Sequence, residues 1–296
     1  MAVSVLALLL GAPGTARAQQ LEPRVYAPAP TGMNVVGIAG LYSSGGVVTD
    51  PSLPVDNVRA DVYGVAPYYA RTFGVLGRLA SVTLATPYGW AHAQGDVQDV
   101  GHSVDRSGPV DPSLRFGVNL LGCPALTPRE FAGRKPGTTM GASISISAPF
   151  GQYDSSKLIN LGTHRWAYKP ELGLSGPLGP WVVELYTGVW LFEANHEFFG
   201  GETRKQDPLA SFQTHVVYNF SRSVWAAADL TYYNGGSTTV GSQPKNDRQA
   251  NARGGLTLSV PCWRNQSLKL TWAQGVTTRV GSSFQTIGAA WQWYWF

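Results

Sequence analysis

Apolar and polar residues alternate with a period of two along most of the chain beyond residue 30. In the clearest segment, 139–148, Met, Ala and Ile at even positions alternate with Thr, Gly and Ser at odd ones. A helix would spread these apolar side chains around its circumference, whereas a strand places them all on one face. The segment therefore predicts a β-strand with one apolar face and one small, polar face.

The same alternation recurs in further segments separated by turn residues. Together they predict about 12 antiparallel strands, an even number within the range of bacterial outer-membrane barrels. The connections also alternate in length: long polar ones at 43–54, 91–110, 150–163, 193–206 and 235–249 are separated by short ones. Long external loops and tight periplasmic turns give this pattern, so the chain is predicted to be an all-β, up-and-down transmembrane barrel. One connection, 122–137, is long where a short turn is expected.

Aromatic residues cluster near the predicted strand ends, where two membrane interfaces would lie. On the external side the predicted girdle includes Trp90, Trp190, Phe192 and Tyr233. The chain ends on Phe296, which is similar to the export signal of barrels that are inserted by the outer-membrane assembly machinery. Outer-membrane lipid and this machinery are therefore the predicted partners.

Composition supports a chain that meets both lipid and water. Only 14% of the 296 residues are charged, against 35 Gly and 20 Pro. Soluble domains carry about 25% charged residues, and a helical membrane protein needs runs of about 20 apolar residues, which are absent from this sequence. The net charge of +4 comes without a basic cluster, so no nucleic-acid partner is predicted.

The N-terminus predicts export. Residues 3–10 are an apolar run, and Ala16-Arg17-Ala18 suits signal peptidase cleavage before Gln19. The expected organisation is a signal peptide at 1–18, a periplasmic segment at 19–30 and the barrel at 31–296. A buried N-terminal helix is the alternative interpretation of the apolar run.

In their predicted strands, the charged residues occupy the alternate positions whose side chains point away from lipid. Facing lipid at mid-membrane would cost about 2–4 kcal/mol for each cationic side chain, so these residues are predicted to line the lumen. Two roles stay open: a structural network that fills the barrel, or a lining that selects a solute, with six basic against four acidic groups favouring anions. The predicted lumen residues are Arg59, Asp61, Arg115, Arg165, Lys169, Glu171, Glu184, His215, Asp229, Arg253 and Lys269.

The sequence offers little support for catalysis, a metal or a cofactor. It contains no GxSxG, HExxH or phosphate-binding GxxxxGK[ST] motif, and His215 is more simply a hydrogen-bonded lumen residue than a catalytic base. Asp96, Asp99 and Asp105 match no calcium loop. Cys123 and Cys262 fall in connections on the same side of the predicted barrel, so either a disulfide or two free thiols is possible.

Several segments resemble a known family. They are APFGQYD at 148–154, LINLG at 158–162, RWAYKPELG at 165–173, FFGG at 198–201, QDP at 206–208 and YYNGG at 232–236. Together they resemble the phenol-degradation meta-pathway family, whose members are described as outer-membrane transporter-like proteins. The resemblance implies a β-barrel and a role in moving hydrophobic or aromatic compounds. The family supplies no agreed binding residues. The positions of Tyr153, Trp166 and Tyr168 in the sequence place them beside a long loop at the external mouth, either as a capture site for a flat ligand or, by the favoured interpretation, as interfacial girdle.

The function predicted from the sequence is passive transport of small, hydrophobic or aromatic solutes through the barrel. A plugged barrel with a structural or adhesion role is the first alternative. A lipid-acting barrel enzyme is the second, and it would require a Ser near a His at the lipid face.

Overall fold

The structure is a computed structural model that describes residues 21–48, 55–97 and 100–296. The predicted signal peptide and its cleavage site lie outside the described residues. Eighteen strands are described: β1 (Asn34–Val48), β2 (Val55–Val75), β3 (Arg78–Ala85), β4 (Tyr88–Val97), β5 (Val100–Pro109), β6 (Ser113–Leu121), β7 (Thr139–Ser147), β8 (Ala167–Leu178), β9 (Trp181–Phe192), β10 (Asn195–Phe198), β11 (Glu202–Gln206), β12 (Leu209–Asn219), β13 (Trp225–Gly235), β14 (Thr238–Val240), β15 (Gln243–Pro244), β16 (Gln249–Trp263), β17 (Gln266–Thr277) and β18 (Gly281–Trp295). One short helix, α1 (Pro128–Ala132), lies between β6 and β7.

The main sheet closes on itself. Its strand order runs β1-β18-β17-β16-β13-β12-β9-β8-β7-β6-β3-β2, and β1 also pairs with β2. Asn34 accordingly has two antiparallel partners, Trp295 on β18 and Arg71 on β2. These twelve strands form a closed antiparallel barrel, which confirms the fold predicted from the alternation. Closure leaves no sheet edge in the membrane, so every wall strand has a partner on both sides.

The barrel has two unlike ends. At one end, here called the turn end, β2–β3, β8–β9, β12–β13 and β16–β17 are joined by short turns, such as Leu76-Gly77 with φ of 48° and 74°. Positive φ at both central residues matches the twist of a tight hairpin, and glycine adopts it without strain. The other end, the loop end, carries the longer connections and the strands β10, β11, β14 and β15. Because outer-membrane barrels place short turns in the periplasm, the loop end faces the cell exterior.

Two long hairpins, β1–β2 and β4–β5, extend beyond the wall at the loop end. β2 has 21 residues and pairs through its second half with β3 and through its first half with β4. β5 then returns along β4 before the chain enters β6. The wall on this side is therefore taller than the strand length of about 10 residues that a bilayer requires.

The long connection at the turn end contains α1. Thr127 caps this helix: its hydroxyl accepts from the Glu130 amide, and the Glu130 carboxylate accepts from the Thr127 amide. The Leu126 carbonyl just before the helix accepts from both the amide and the hydroxyl of Thr31. This unusual connection thereby holds the chain that leads into β1.

Large apolar side chains lie on the outer face and polar ones on the inner face. Leu172, Leu230 and Leu256 are 53%, 51% and 56% exposed, whereas Glu184 and Thr231 are 1% and 0% exposed. On β18, Trp291 and Trp293 face outward, and inward-facing Gln292 donates to the Ser267 hydroxyl. Phe296 follows at the turn end, and its interaction with the assembly machinery stays a prediction. Within the described part of the chain, no helix is long and apolar enough to cross a membrane.

Candidate functional site: the barrel lumen

The segment before β1 lies inside the barrel. Leu21 approaches Gly255 on β16, whereas Tyr26, only 2% exposed, reaches β7 and β8. The expectation of a periplasmic segment at 19–30 is therefore wrong for the described residues 21–27. The reason is that this segment is short and irregular, without a periodic pattern that could predict its position inside the charged lumen.

Tyr26 occupies a space that two glycines leave open. A Cβ atom at Gly141 would lie 2.2 Å from the Tyr26 ring, and a Cβ atom at Gly173 would also lie 2.2 Å from it. The Tyr26 hydroxyl bonds to the Ser143 hydroxyl at 2.9 Å and to the Glu171 carboxylate at 3.2 Å. The edge of the Tyr26 ring meets Tyr186 with centroids 5.1 Å apart. The segment is thus anchored by shape as well as by hydrogen bonds.

Charged side chains hold the same segment on two sides. Glu22 pairs with Arg115 on β6 at 3.4 Å. Opposite it, the Arg24 amide donates to Glu184 on β9 at 2.7 Å, and the Arg24 guanidinium donates to Asn219 at 2.8 Å. No residue between 21 and 30 pairs in a strand, so side chains carry most of the attachment.

Glu171 is the centre of the lumen network. Its carboxylate accepts from Lys169 at 2.6 Å, from Arg115 at 3.1 Å and from the Gln213 amide at 3.4 Å. A buried carboxylate requires such partners, because leaving it unpaired in a low-dielectric interior costs several kcal/mol. With Glu22 on the other side of Arg115, two cations and two carboxylates balance in this network.

His215 belongs to a second buried network. Its Nδ1 atom lies 2.6 Å from Asp229 Oδ1, and the Thr257 hydroxyl donates to Asp229 Oδ2 at 2.7 Å. With Nδ1 protonated, a neutral imidazole leaves Nε2 as an acceptor. Nε2 has no hydrogen-bond partner among the described residues, and His215 is fully buried within the barrel rather than near lipid.

One wall of the lumen concentrates buried polar atoms that lack hydrogen bonds of ordinary geometry. The strand register aligns residues of β9, β12 and β13 in four layers. Each layer has one β12 residue at its centre, paired with one residue of β9 and one of β13; these β12 residues are Leu209, Ser211, Gln213 and His215. Nine buried side-chain atoms in the described residues lack a hydrogen bond of ordinary geometry, and six of them lie on this wall. The six are Trp190 Nε1, Tyr233 OH, Tyr186 OH, Gln213 Oε1, Thr231 Oγ1 and His215 Nε2. We call this surface the β9–β12–β13 wall.

Aromatic rings and an arginine lie at the loop end of this wall. Leu209 and Tyr233 are fully buried and pack against Trp190 and Phe192. The guanidinium of Arg165, just before β8, lies 4.5 Å from the centre of the Phe192 ring. Trp190, Phe192 and Tyr233 therefore face the lumen, so their predicted place in the external girdle is wrong. Near a strand end, an aromatic residue fits the predicted girdle whether its side chain points inward or outward.

Nine of the eleven predicted lumen residues face the lumen. They are Arg115, Arg165, Lys169, Glu171, Glu184, His215, Asp229, Arg253 and Lys269. Arg59 and Asp61 do not: Asp61 accepts from Tyr42 on the outer surface at 2.8 Å, while Val58 and Ala60 turn inward. The prediction for these two residues is wrong because this half of β2 extends past the membrane, where a charge on the outer face meets water.

The three predicted mouth aromatics do not converge on one site. Tyr153 stacks on His164 at 4.6 Å within the loop, and its hydroxyl donates to the Glu197 carbonyl. Trp166 instead contacts Phe150, which is 69% exposed, and the Tyr168 hydroxyl donates to Glu193. The positions of Trp166 and Tyr168 favour the girdle interpretation.

Cys123 and Cys262 are free thiols, one buried and one exposed. Cys123 follows β6 and Cys262 ends β16, and these strands lie six positions apart in the ring of twelve. The two cysteines therefore share one rim but occupy opposite sides of it, which favours two free thiols over the disulfide alternative. Within the described residues, no cluster of His, Cys, Asp and Glu is suited to hold a metal ion.

Comparison with known proteins identifies the family. The family model described as "Putative MetA-pathway of phenol degradation" matches residues 41–293. The chain belongs to this family. A search of curated proteins finds no match.

Solved structures show the same fold. An outer-membrane channel from Pseudomonas putida F1 superposes with a TM-score of 0.81 at 17% identity, over 93% of this chain and 100% of the other. The transport unit of the Escherichia coli autotransporter AIDA-I gives a TM-score of 0.53 at 9% identity, over 100% and 99% of the two chains. The β domain of the Bordetella autotransporter BrkA gives 0.52 at 12% identity, over 88% and 99%. This family member is an outer-membrane β-barrel.

Proposed function

We propose that this protein is a passive outer-membrane channel for small aromatic or hydrophobic solutes. The β9–β12–β13 wall is the observation that carries the proposal. Six buried polar atoms without hydrogen bonds of ordinary geometry, next to aromatic rings, form the mixed lining that binds small ligands. Three of these atoms, Trp190 Nε1, Gln213 Oε1 and His215 Nε2, have no partner among the described residues, and each costs about 1–3 kcal/mol when it is left unpaired.

The N-terminal segment is the element that must move for passage. It contributes no strand pairing. An ion pair between Glu22 and Arg115 and a charge-assisted hydrogen bond from the Arg24 amide to Glu184 hold it in place. Attachment by side chains lets the segment shift without opening the barrel, because the wall keeps its backbone ladder. The alternative, a permanently plugged structural barrel, predicts no solute flux.

Uptake by cells tests this function. The chain would be expressed in a porin-deficient strain whose lipopolysaccharide layer slows hydrophobic compounds, and labelled phenol, benzyl alcohol and arabinose would be compared. The proposal predicts faster entry of phenol and benzyl alcohol than in cells with an empty vector, and a smaller change for arabinose. Entry rates equal to those of the empty vector for all three solutes would support the plugged barrel.

A further inference from the structure

Arg165 is a buried cation without a carboxylate partner. It is 7% exposed, and its Nη2 donates to the neutral side-chain amide of Gln206. Its Nη1 is buried without any hydrogen-bond partner. Burial, with the nearby Arg204 charge adding to it, lowers the pKa of Arg165 below the ordinary arginine value. A guanidinium nevertheless stays protonated at neutral pH, so its charge requires compensation.

The neighbouring carboxylate, Asp111, already accepts hydrogen bonds from other groups. Asp111 is the acidic group that acts on Arg165 from nearby, but Oδ1 of Asp111 accepts from the Gly151 amide. Its Oδ2 accepts from both the amide and the hydroxyl of Thr163. Asp111 therefore fastens the loop before β8 and leaves the free edge of the Arg165 guanidinium unpaired.

Further donors and rings lie on the wall beside the Arg165 guanidinium. Trp190 Nε1 is a donor without a partner, and it belongs to the same aromatic cluster as Phe192, over which the Arg165 guanidinium lies. The Tyr233 hydroxyl, at the next layer of the β9–β12–β13 wall, also lacks a hydrogen bond of ordinary geometry. Planar rings with guanidinium and indole donors match a flat ligand that carries an anionic group at one edge.

We propose that Arg165 and Trp190 bind the carboxylate of a small aromatic acid, with its ring against Phe192. This inference rests on the proposed channel function and assigns it a solute class and an entry site. A single guanidinium without a carboxylate partner matches a monoanion, because a second negative charge would be buried without compensation. Lys169 lies 5.8 Å from the centre of the Trp190 ring, but its charge is already paired with Glu171, so Arg165 is the cation that the ligand would meet.

Binding to the purified full chain in detergent micelles tests the assignment. Saturation-transfer NMR and calorimetry would compare benzoate, cyclohexanecarboxylate, benzyl alcohol and acetate. Benzoate is expected to bind most tightly, because only it offers both an aromatic ring and a carboxylate. Equal binding of benzoate and benzyl alcohol would overturn the role of the charge.

Variants locate the site. R165Q is expected to weaken benzoate binding about tenfold or more, as loss of a charge-assisted hydrogen bond does. The matched control is R59Q, which removes an exposed arginine from the outer face of β2 and should leave the affinity unchanged. W190F keeps the aromatic cluster but removes the indole N–H. It tests the site independently if R165Q does not fold, and it should weaken the binding of benzoate more than that of benzyl alcohol. Unchanged benzoate affinity in folded R165Q and W190F would overturn the proposal.

The two proposals fail separately. If phenol enters cells through the wild-type chain while benzoate shows no Arg165-dependent binding, the carboxylate site is wrong and the channel stands. If benzoate binds through Arg165 but no solute enters cells, the site stands and the channel function is wrong.

Discussion

Gly141 on β7 and Gly173 on β8 face each other directly across neighbouring strands, and the ring of Tyr26 lies against both. The pair forms a flat patch on the inner wall. The patch is what allows the N-terminal segment to lie inside the barrel. Several predictions of the account depend on this contact and on the facing of the strands.

A methyl group at Gly173 should displace Tyr26. In Gly173→Ala, the added Cβ would overlap the ring, so we expect the segment to shift and the rate of arabinose-driven liposome swelling to rise several-fold. Gly176→Ala is the control on the same strand, because a Cβ there has nothing within 4 Å. Equal swelling rates for both variants and the wild type would show that the Tyr26 contact does not restrict the lumen.

Adjacent substitutions on β7 test the facing of the wall. Ile144 is 39% exposed on the outer face, so Ile144→Arg should destabilise the folded barrel by about 2–4 kcal/mol. Ser145→Glu adds a charge one residue later, beside the register partners Arg115 and Lys169, and should be tolerated. The folded fraction in a heat-modifiability gel measures both effects. Loss of folding in Ser145→Glu with full folding of Ile144→Arg would reverse the assigned faces.

His215 and Asp229 should stabilise the barrel as a coupled pair. His215→Phe leaves the fully buried Asp229 carboxylate with Thr257 as its remaining partner, so unfolding in urea should become easier by about 3 kcal/mol. Adding Asp229→Leu in the same chain removes the unpaired charge and should recover a large part of that loss. A double variant as unstable as the sum of its single variants would indicate that the two residues act independently.

Thiol labelling tests the positions of the cysteines. In the folded barrel, maleimide should modify the exposed Cys262 and spare Cys123, which is 1% exposed. After denaturation without reductant, both thiols should react, and mass spectrometry would count the adducts. A denatured chain that takes up no maleimide until it is reduced would mean that the two cysteines are paired.

The sequence predicts the barrel well because lipid imposes one strict rule on each wall strand. Ile144 and Leu172 must face lipid, and their polar neighbours Ser143 and Glu171 must face inward, so parity alone assigns the faces. The same rule places nine of the eleven charged or histidine candidates in the lumen. It does not hold beyond the membrane, where Arg59 and Asp61 lie on the outer face in water.

Parity carries no information about contacts within the lumen. Nothing in the sequence indicates that Glu22 would meet Arg115 or that Tyr26 would lie on Gly141, because these pairs depend on which strands lie across the barrel from the N-terminal segment. The inward position of Trp190 has a similar origin. Its parity agrees with the buried Glu184 and Tyr186 on β9, but its place near the strand end favoured the girdle interpretation.

We propose that the N-terminal segment sets the aperture of a barrel that passes small solutes. Single-channel conductance in planar bilayers would compare the wild-type chain with a variant that lacks residues 21–30 and still folds in a heat-modifiability gel. We expect small, infrequent openings for the wild type and a stable conductance several-fold larger for the variant. Equal conductance in the two chains, or none in either, would contradict it.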